Sequence, residues 1–353
     1  MKLTLSGVAG TLLVAVLPVH ARAQHPSTPQ AATEAPVEGI AFRVYDSKGR
    51  SRSFADILKA MDDADAVLVG ETHDDGVGHG VEAQLLYRAA ERFGAVGDQA
   101  TTKRPVVLSM EMFERDVQYI LDEYLQGLIT EAQFKSSARP WPRYDTDYRP
   151  MVEFARAHGI PVVAANAPRR YVNRVSRLGP ASLDELSATA KEYLPPLPYP
   201  PASKEYAAQF NALMGEMMQA QQPKADSTAG SAAEGDSGSP ADTAAPRADP
   251  AMHSMGNALS AQALWDAAMG NAVANALDQR QHALVIHYVG SFHVEKGTGI
   301  PERVADYRPG TRILTVVLEP TDDINAWQND EDRGLGDFVV LTKRPAEEGS
   351  QGL

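Results

Sequence analysis

Two apolar, β-rich runs in this chain each close on a glycine that is followed three residues later by a histidine. The first is Ala66-Val67-Leu68-Val69-Gly70-Glu71-Thr72-His73, with a further imidazole at His79. The second is Leu284-Val285-Ile286-His287-Tyr288-Val289-Gly290-Ser291-Phe292-His293. Open α/β sheets carry ligand chemistry at the carboxyl ends of their strands. Two such turns in one sheet therefore aim His73 and His293 at a common crevice.

The rest of the pattern supports that sheet. A hairpin is expected from Phe42 to Tyr45 and Arg50 to Ser53, then a helix capped by Ser53 or Asp56 and running to about Met61. Strands are expected over Ala66–Val69, Pro105–Met110, Ile160–Ala165, Ala283–Val289, Ile313–Leu318 and Phe338–Thr342, the last at an edge. Helical periodicity separates the first three: Val81, Leu85, Leu86, Ala89 and Phe93; then Val117, Ile120, Leu121, Tyr124 and Leu125; then Pro150 to His158. Strand–helix alternation with right-handed crossovers implies an α/β fold, a mostly parallel central sheet flanked by helices. Ser182–Tyr193 and Ser203–Met218 read as helices of an inserted cap, and helicity resumes over Leu259–Gln281.

Composition divides the chain further. Residues 1–23 read as a secretory signal peptide: Lys2, an apolar stretch from Val8 to Leu17 and the small-x-small site Ala21-Arg22-Ala23, too short to span a membrane. Residues 24–39 are a flexible lead-in, 40–180 and 257–343 the two parts of the α/β core, 181–218 the cap, and 344–353 a loose tail. Residues 219–256 hold almost no large apolar side chain and are expected to be a disordered insertion. The chain has no cysteine, hence neither a disulfide nor a thioether lipid anchor. An exported, periplasmic or secreted protein, soluble after cleavage, is the expectation. Cleavage removes two cations and no acid, taking the formal charge from −13 to −15. Nucleic acid and anionic membrane surfaces are poor partners for such a surface.

Functional residue types crowd the strand ends: Glu71 and His73, then Glu111, then Asn166, then His293. Imidazoles and carboxylates are ligands for a first-row divalent ion, and two His with a carboxylate leave positions open for water or substrate. A carboxylate can instead act as general base beside such a site. Asp266 is placed to orient a histidine through its second ring nitrogen, Trp265 reads as a core anchor, His287 as a satisfied buried histidine and His158 as a helix-capping cation.

Several motifs in order resemble the ChaN-like haem-binding uptake family of the Tiki/TraB-type superfamily. They are Gly70-Glu71-Thr72-His73 with His79, Val106–Met110 ending in Glu111-Met112-Phe113, and Arg139-Pro140-Trp141. Ala165-Asn166-Ala167-Pro168-Arg169, Gln262 to Met269 and Gly290-Ser291-Phe292-His293 complete the series. The similarity runs from about Ile40 to Leu318. It implies an α/β fold with extra helices, a role in haem-iron uptake or trafficking, and a polar site of Glu71, His73, His79, Glu111 and His293. Superfamily relatives with paired turns of this kind are described as metal-dependent proteases, and erythromycin-esterase-like hydrolases resemble the same architecture. The resemblance therefore also admits a hydrolase, peptidase or esterase, holding Mn, Co or Zn on His73, His79, Glu71, Glu111 and His293, with Glu71, His73, Glu111 and His293 catalytic. Many ChaN-like proteins are lipoproteins, and this chain departs by lacking the lipobox cysteine.

Haem needs an apolar slot, an axial ligand and cationic groups at the rim. Tyr phenolate or His supplies such a ligand, and Tyr144, Tyr148 and Tyr171 lie near the strand-end loops. Arg169 and Arg170 suit propionates. Met214, Met217 and Met218 before the insertion, with Met252, His253 and Met255 after it, are candidates for an apolar wall. A homodimer with haem sandwiched between subunits is an open arrangement.

Overall fold

The computed structural model describes residues 41–96, 104–220 and 250–344, with the backbone alone at 219, 220 and 250–256. The expected signal peptide, the lead-in, most of the insertion and nearly all of the tail lie outside the described residues. Eight strands form one sheet: β1 (Phe42–Asp46), β2 (Ser51–Arg52), β3 (Ala66–Glu71), β4 (Val106–Glu114), β5 (Val162–Asn166), β6 (Leu284–Gly290), β7 (Ile313–Thr321) and β8 (Phe338–Lys343). Their order is β2-β1-β8-β7-β3-β6-β4-β5. From β8 to β5 every neighbouring pair is parallel, while β1 runs antiparallel to both β8 and β2.

The central strands are buried on both faces, and their alternation sorts side chains between two helical layers. Val67, Val69, Leu108, Met110, Ile286 and Tyr288 face one core, with Ile57 of α1 (Phe54–Ala60), Leu85 and Leu86 of α2 (Gly76–Arg92) and Leu121 of α3 (Gln118–Leu125). Phe134 of α4 (Glu131–Ala138) and Val152 of α5 (Arg149–Ala157) complete that layer. α6 (Arg169–Leu178) lies against the long α9 (Pro250–Gln279) and is followed by the short α7 (Ala188–Lys191) and by α8 (Lys204–Ala220). Ala66, Leu68, Val285 and Val289 face the opposite core, built by Met269 and Val273 of α9 and Val304 of α10 (Ile300–Tyr307).

The structure corrects two sequence expectations. β8 is not an edge strand: the β1–β2 hairpin pairs with it and takes the edge. Ser182–Tyr193 is not one helix but a 3₁₀ segment (Pro180–Glu185) followed by α7. Tyr144–Tyr148 wind into a π-turn that feeds α5. Helices α4, α6 and α10 were not anticipated. The cap helix α8 sits over the second histidine turn, with Tyr206 and Phe210 centred 5.1 and 6.4 Å from Phe292. Among the described residues no helix is long and apolar enough to cross a membrane.

Candidate functional site

β3 and β6 are hydrogen-bonded neighbours, with Gly70 opposite Val289 and Glu71 opposite Gly290. The two glycine turns interlock for that reason. A β-carbon on Gly70 would lie 2.8 Å from Ser291 Cα and 2.7 Å from Val294 Cγ2. One on Gly290 would lie 2.9 Å from Cε1 and 3.1 Å from Nε2 of His73. Each turn occupies the space the other leaves by having no side chain.

Glu71 is the hub of the first half of the site. Its side chain is fully buried, and both oxygens are engaged. The Oε1 atom accepts from His73 Nδ1 at 2.6 Å and from the Tyr148 hydroxyl at 3.0 Å, and Oε2 lies 3.1 Å from His79 Nε2. Burial alone would raise its pKa, but the His73 and His79 hydrogen bonds prevail and hold it at about 2. His73 is pulled down by burial and pulled up more strongly by Glu71, so its pKa rises. With Nδ1–H donating to Glu71, His73 keeps its Nε2 lone pair for another partner. The imidazole is half exposed and meets Trp141 edge to face at 4.8 Å. Behind it, His79 Nδ1 stands 3.7 Å from Asp147, whose carboxylate accepts from Arg143 at 2.5 Å.

The second half is built on His293. Its Nδ1–H donates to Asp266 Oδ1 at 2.5 Å, the orienting role expected for that residue. Its Nε2 faces Gln262 at 3.3 Å and Glu111 Oε1 at 3.9 Å. Glu111 Oε2 accepts from the Gly290 backbone N–H at 2.8 Å, tying β4 to the second turn. Burial works against the imidazolium, but Asp266 and then Glu111 raise its pKa to about 9. Glu71, His73, His79, Glu111 and His293 thus converge on one edge of the sheet. Among the described residues, however, no three His, Asp or Glu side chains are disposed to hold one metal ion. The imidazoles are already hydrogen-bonded to carboxylates, His73 and His79 to Glu71 and His293 to Asp266, so the divalent-metal set is not supported.

The other expected residues scatter. Tyr144 is buried in an aromatic cluster with Phe113 and Phe134, and burial raises its pKa. Tyr148 is equally buried and committed to Glu71. Tyr171 is half-buried under the Arg170 guanidinium, 4.4 Å from its ring centroid. Arg170 pairs with Asp116 at 2.5 Å, whereas Arg169 is exposed and stands 5.7 Å over the Trp141 ring. Met214 is half-buried, Met218 is exposed, and the side chain of His253 lies outside the described residues. Asn166 is buried at the end of β5 with Oδ1 lacking a partner. His287 is fully buried with Nδ1 2.9 Å from Ser109 Oγ, and burial lowers its pKa to about 3. His158 caps the C-terminus of α5, as expected, and burial lowers its pKa, which works against the charged form. Trp265 is only partly buried.

Sequence reasoning missed Asp147, Gln262 and Glu82. The third is a carboxyl on the apolar face of α2 that is fully buried, unpartnered and pushed well up in pKa by burial. Its place between Val81 and Leu85 is the signal: a carboxyl at a core position of the helical period.

The family model described as "Haem-binding uptake, Tiki superfamily, ChaN" matches residues 57–304. Among solved structures the chain is similar to Campylobacter jejuni ChaN, described as binding haem cofacially. That likeness has a TM-score of 0.56 at 15% identity and covers 86% of this chain and 97% of the other, which shows a shared fold. Among curated proteins it is similar to the chloroplastic protein RETICULATA-RELATED 5 of Arabidopsis thaliana, 24% identical over 306 residues. Those residues are 80% of this chain but 36% of the plant protein, so the chain spans about a third of that relative. With the family model covering well over half its length, the chain belongs to the haem-binding uptake family of the Tiki superfamily, the family of ChaN.

Proposed function

We propose that this protein is exported, binds haem at the rim of the strand-end crevice, and serves haem-iron uptake or trafficking. Family membership supports haem as the ligand. The observation that carries the site is His73: Glu71 holds its Nδ1–H at 2.6 Å, and the half-exposed ring keeps Nε2 for an iron. Trp141 beside that ring offers an aromatic wall, and Arg169 over Trp141 a cation for a propionate. Bound haem would supply an iron centre that an imidazole nitrogen could ligate. The chain's own part is to fix the imidazole tautomer, raise its basicity through Glu71 and match the propionate charge. Tyr144 and Tyr148 would have to leave the core to serve as ligands, and Tyr171 is the accessible tyrosine. The divalent-metal hydrolase is not favoured, because Glu71 is already committed to two imidazoles and a phenol.

Titration of the purified protein with hemin should give a Soret band that His73→Ala shifts or abolishes. Absence of that band at micromolar hemin refutes the proposal. Light scattering with and without hemin tests for a haem-bridged homodimer. The mass of the exported protein tests cleavage after Ala23.

A further inference from the structure

Arg115 follows β4 directly, and its guanidinium meets Asn271 of α9. Its Nη2 donates to Asn271 Oδ1 at 3.0 Å, whereas Nη1 is buried without any hydrogen-bond partner. The neighbouring carboxylates serve other cations: Glu114 accepts from Arg139, and Asp116 from Arg139 and Arg170. Among the described residues Arg115 has no carboxylate partner. A charge taken out of water without a counter-ion costs several kcal/mol, and burial accordingly lowers the pKa of this arginine, to about 10.

The uncompensated guanidinium stands on the wall of two adjoining clefts of about 290 and 620 Å³, which share Arg115, Glu192 and Asn275. Asn275 donates one amide hydrogen to Asn271 Oδ1 at 3.2 Å and has a second to offer. The Tyr307 hydroxyl, also buried and unpartnered, lies within electrostatic range of Arg115. Gln118, by contrast, is saturated: it donates to Asp122 and Val162 and accepts from the Ala164 N–H, so it forms wall rather than ligand surface.

We propose that Arg115, with Asn275, forms an anion site for a singly charged carboxylate in the cleft beneath α9, separate from the histidine crevice. A carboxylate oxygen accepts from the unpartnered Nη1 of the guanidinium and places its charge beside the cation. The other charges of the lining are Arg280 and Lys191 against Asp122, Asp184 and Glu192, so no further cation is left over for the second charge of a dianion. The site does not rest on the haem proposal.

The test is thermal unfolding of the full chain in sodium acetate against sodium chloride at matched ionic strength, with ¹³C-acetate line broadening alongside. The wild type should gain stability saturably with acetate, and Arg115→Met should weaken acetate binding by about tenfold or more. In chloride, Arg115→Met should unfold no lower than the wild type, since it deletes a buried charge that lacks a partner. Arg115→Lys should retain part of the acetate response. Competition by hemin but not by hemin dimethyl ester would identify the carboxylate as a propionate. Acetate binding unaffected by either would identify a free small carboxylate. No acetate response in the wild type, an equal response in Arg115→Met, or a clear loss of stability of Arg115→Met in chloride would each overturn the proposal.

Discussion

His73 occupies the space that a side chain on Gly290 would need: a β-carbon there would stand 2.9 Å from Cε1 of the imidazole and 3.7 Å from Oε2 of Glu111. The second glycine turn thus acts as the seat of the first turn's histidine. This gives the repeated Gly-x-x-His spacing a mechanical meaning. In adjacent parallel strands ending at the same level, each turn can close over the other only where the other lacks a Cβ.

Gly290→Ala should leave the fold intact at a cost of about 1–2 kcal/mol, because the colliding atoms belong to a half-exposed ring that can swing outward. The swing would lengthen the His73–Glu71 hydrogen bond, so the His73 pKa, followed by NMR, should fall back toward 6.5 and hemin affinity should drop. Gly70→Ala meets Ser291 Cα, which is backbone, and should be the more destabilising of the two in urea titrations. Equal stability of the two variants would contradict the interlocking.

Stability should be highest between about pH 4.5 and 6.5, because four buried groups set opposing limbs. The neutral Glu82 carboxyl loses its contribution as pH rises above 4.5, while His287 gains. His293, with its pKa raised to about 9, contributes fully below 6.5, and that contribution is lost as pH rises from 6.5 to 9, on the order of 3 kcal/mol. His287 is held neutral, its pKa lowered to about 3, so protonation of the unfolded chain costs stability as pH falls below 6.5. Glu71, held at about 2, loses its contribution as pH falls from 4.5 toward 2. Thermal melts across pH should show the dome, and Asp266→Asn should flatten its alkaline limb while lowering stability overall. An alkaline limb unchanged in that variant would refute the assignment to His293.

The parallel sheet and its shared strand-end crevice were legible because consecutive apolar residues and periodic helices leave few alternatives, and Asp266 was found as a polar residue ahead of a histidine strand. What escaped depended on tertiary partners. Tyr144 and Tyr148 look like rim tyrosines in the sequence, yet the π-turn rotates them inward, one to an aromatic cluster and one to Glu71. β8 reads as an edge strand in the sequence, but the hairpin 42–52, far from it in sequence, pairs with it. The metal set looked plausible as a list of ligand types. What leaves it unsupported is that the imidazoles are already bonded to carboxylates, His73 and His79 sharing Glu71 and His293 held by Asp266, which spacing does not reveal.

Hemin binding through His73 should weaken as pH falls. Iron and proton compete for the same Nε2, and Glu71 raises the His73 pKa above 6.5. Well below that pKa, affinity should drop by about tenfold per pH unit. Glu71→Gln should move the midpoint to lower pH, because the charge that favours the imidazolium is gone. Tyr171→Phe should leave the profile in place. A spectral titration that is flat across pH 5 to 8, or lost in Tyr171→Phe, would move the ligand from histidine to tyrosine.

Gly270 marks the closest approach of α9 and α10. A β-carbon there would stand 2.4 Å from Arg303 Cβ and 3.1 Å from both Arg303 C and Val304 N. Alanine in a helix interior normally gains about 1 kcal/mol over glycine, but overpacking against a neighbouring backbone costs about 1–3 kcal/mol. The clash should prevail, since α10 is fixed by the Arg303 donation to the Pro201 carbonyl and by the buried Ile300 and Val304. Gly270→Ala should therefore lower the urea midpoint. Gly76→Ala, in the first turn of α2 with nothing within 4 Å of its added carbon, should raise it. A stabilised Gly270→Ala would mean that α9 and α10 can move apart freely.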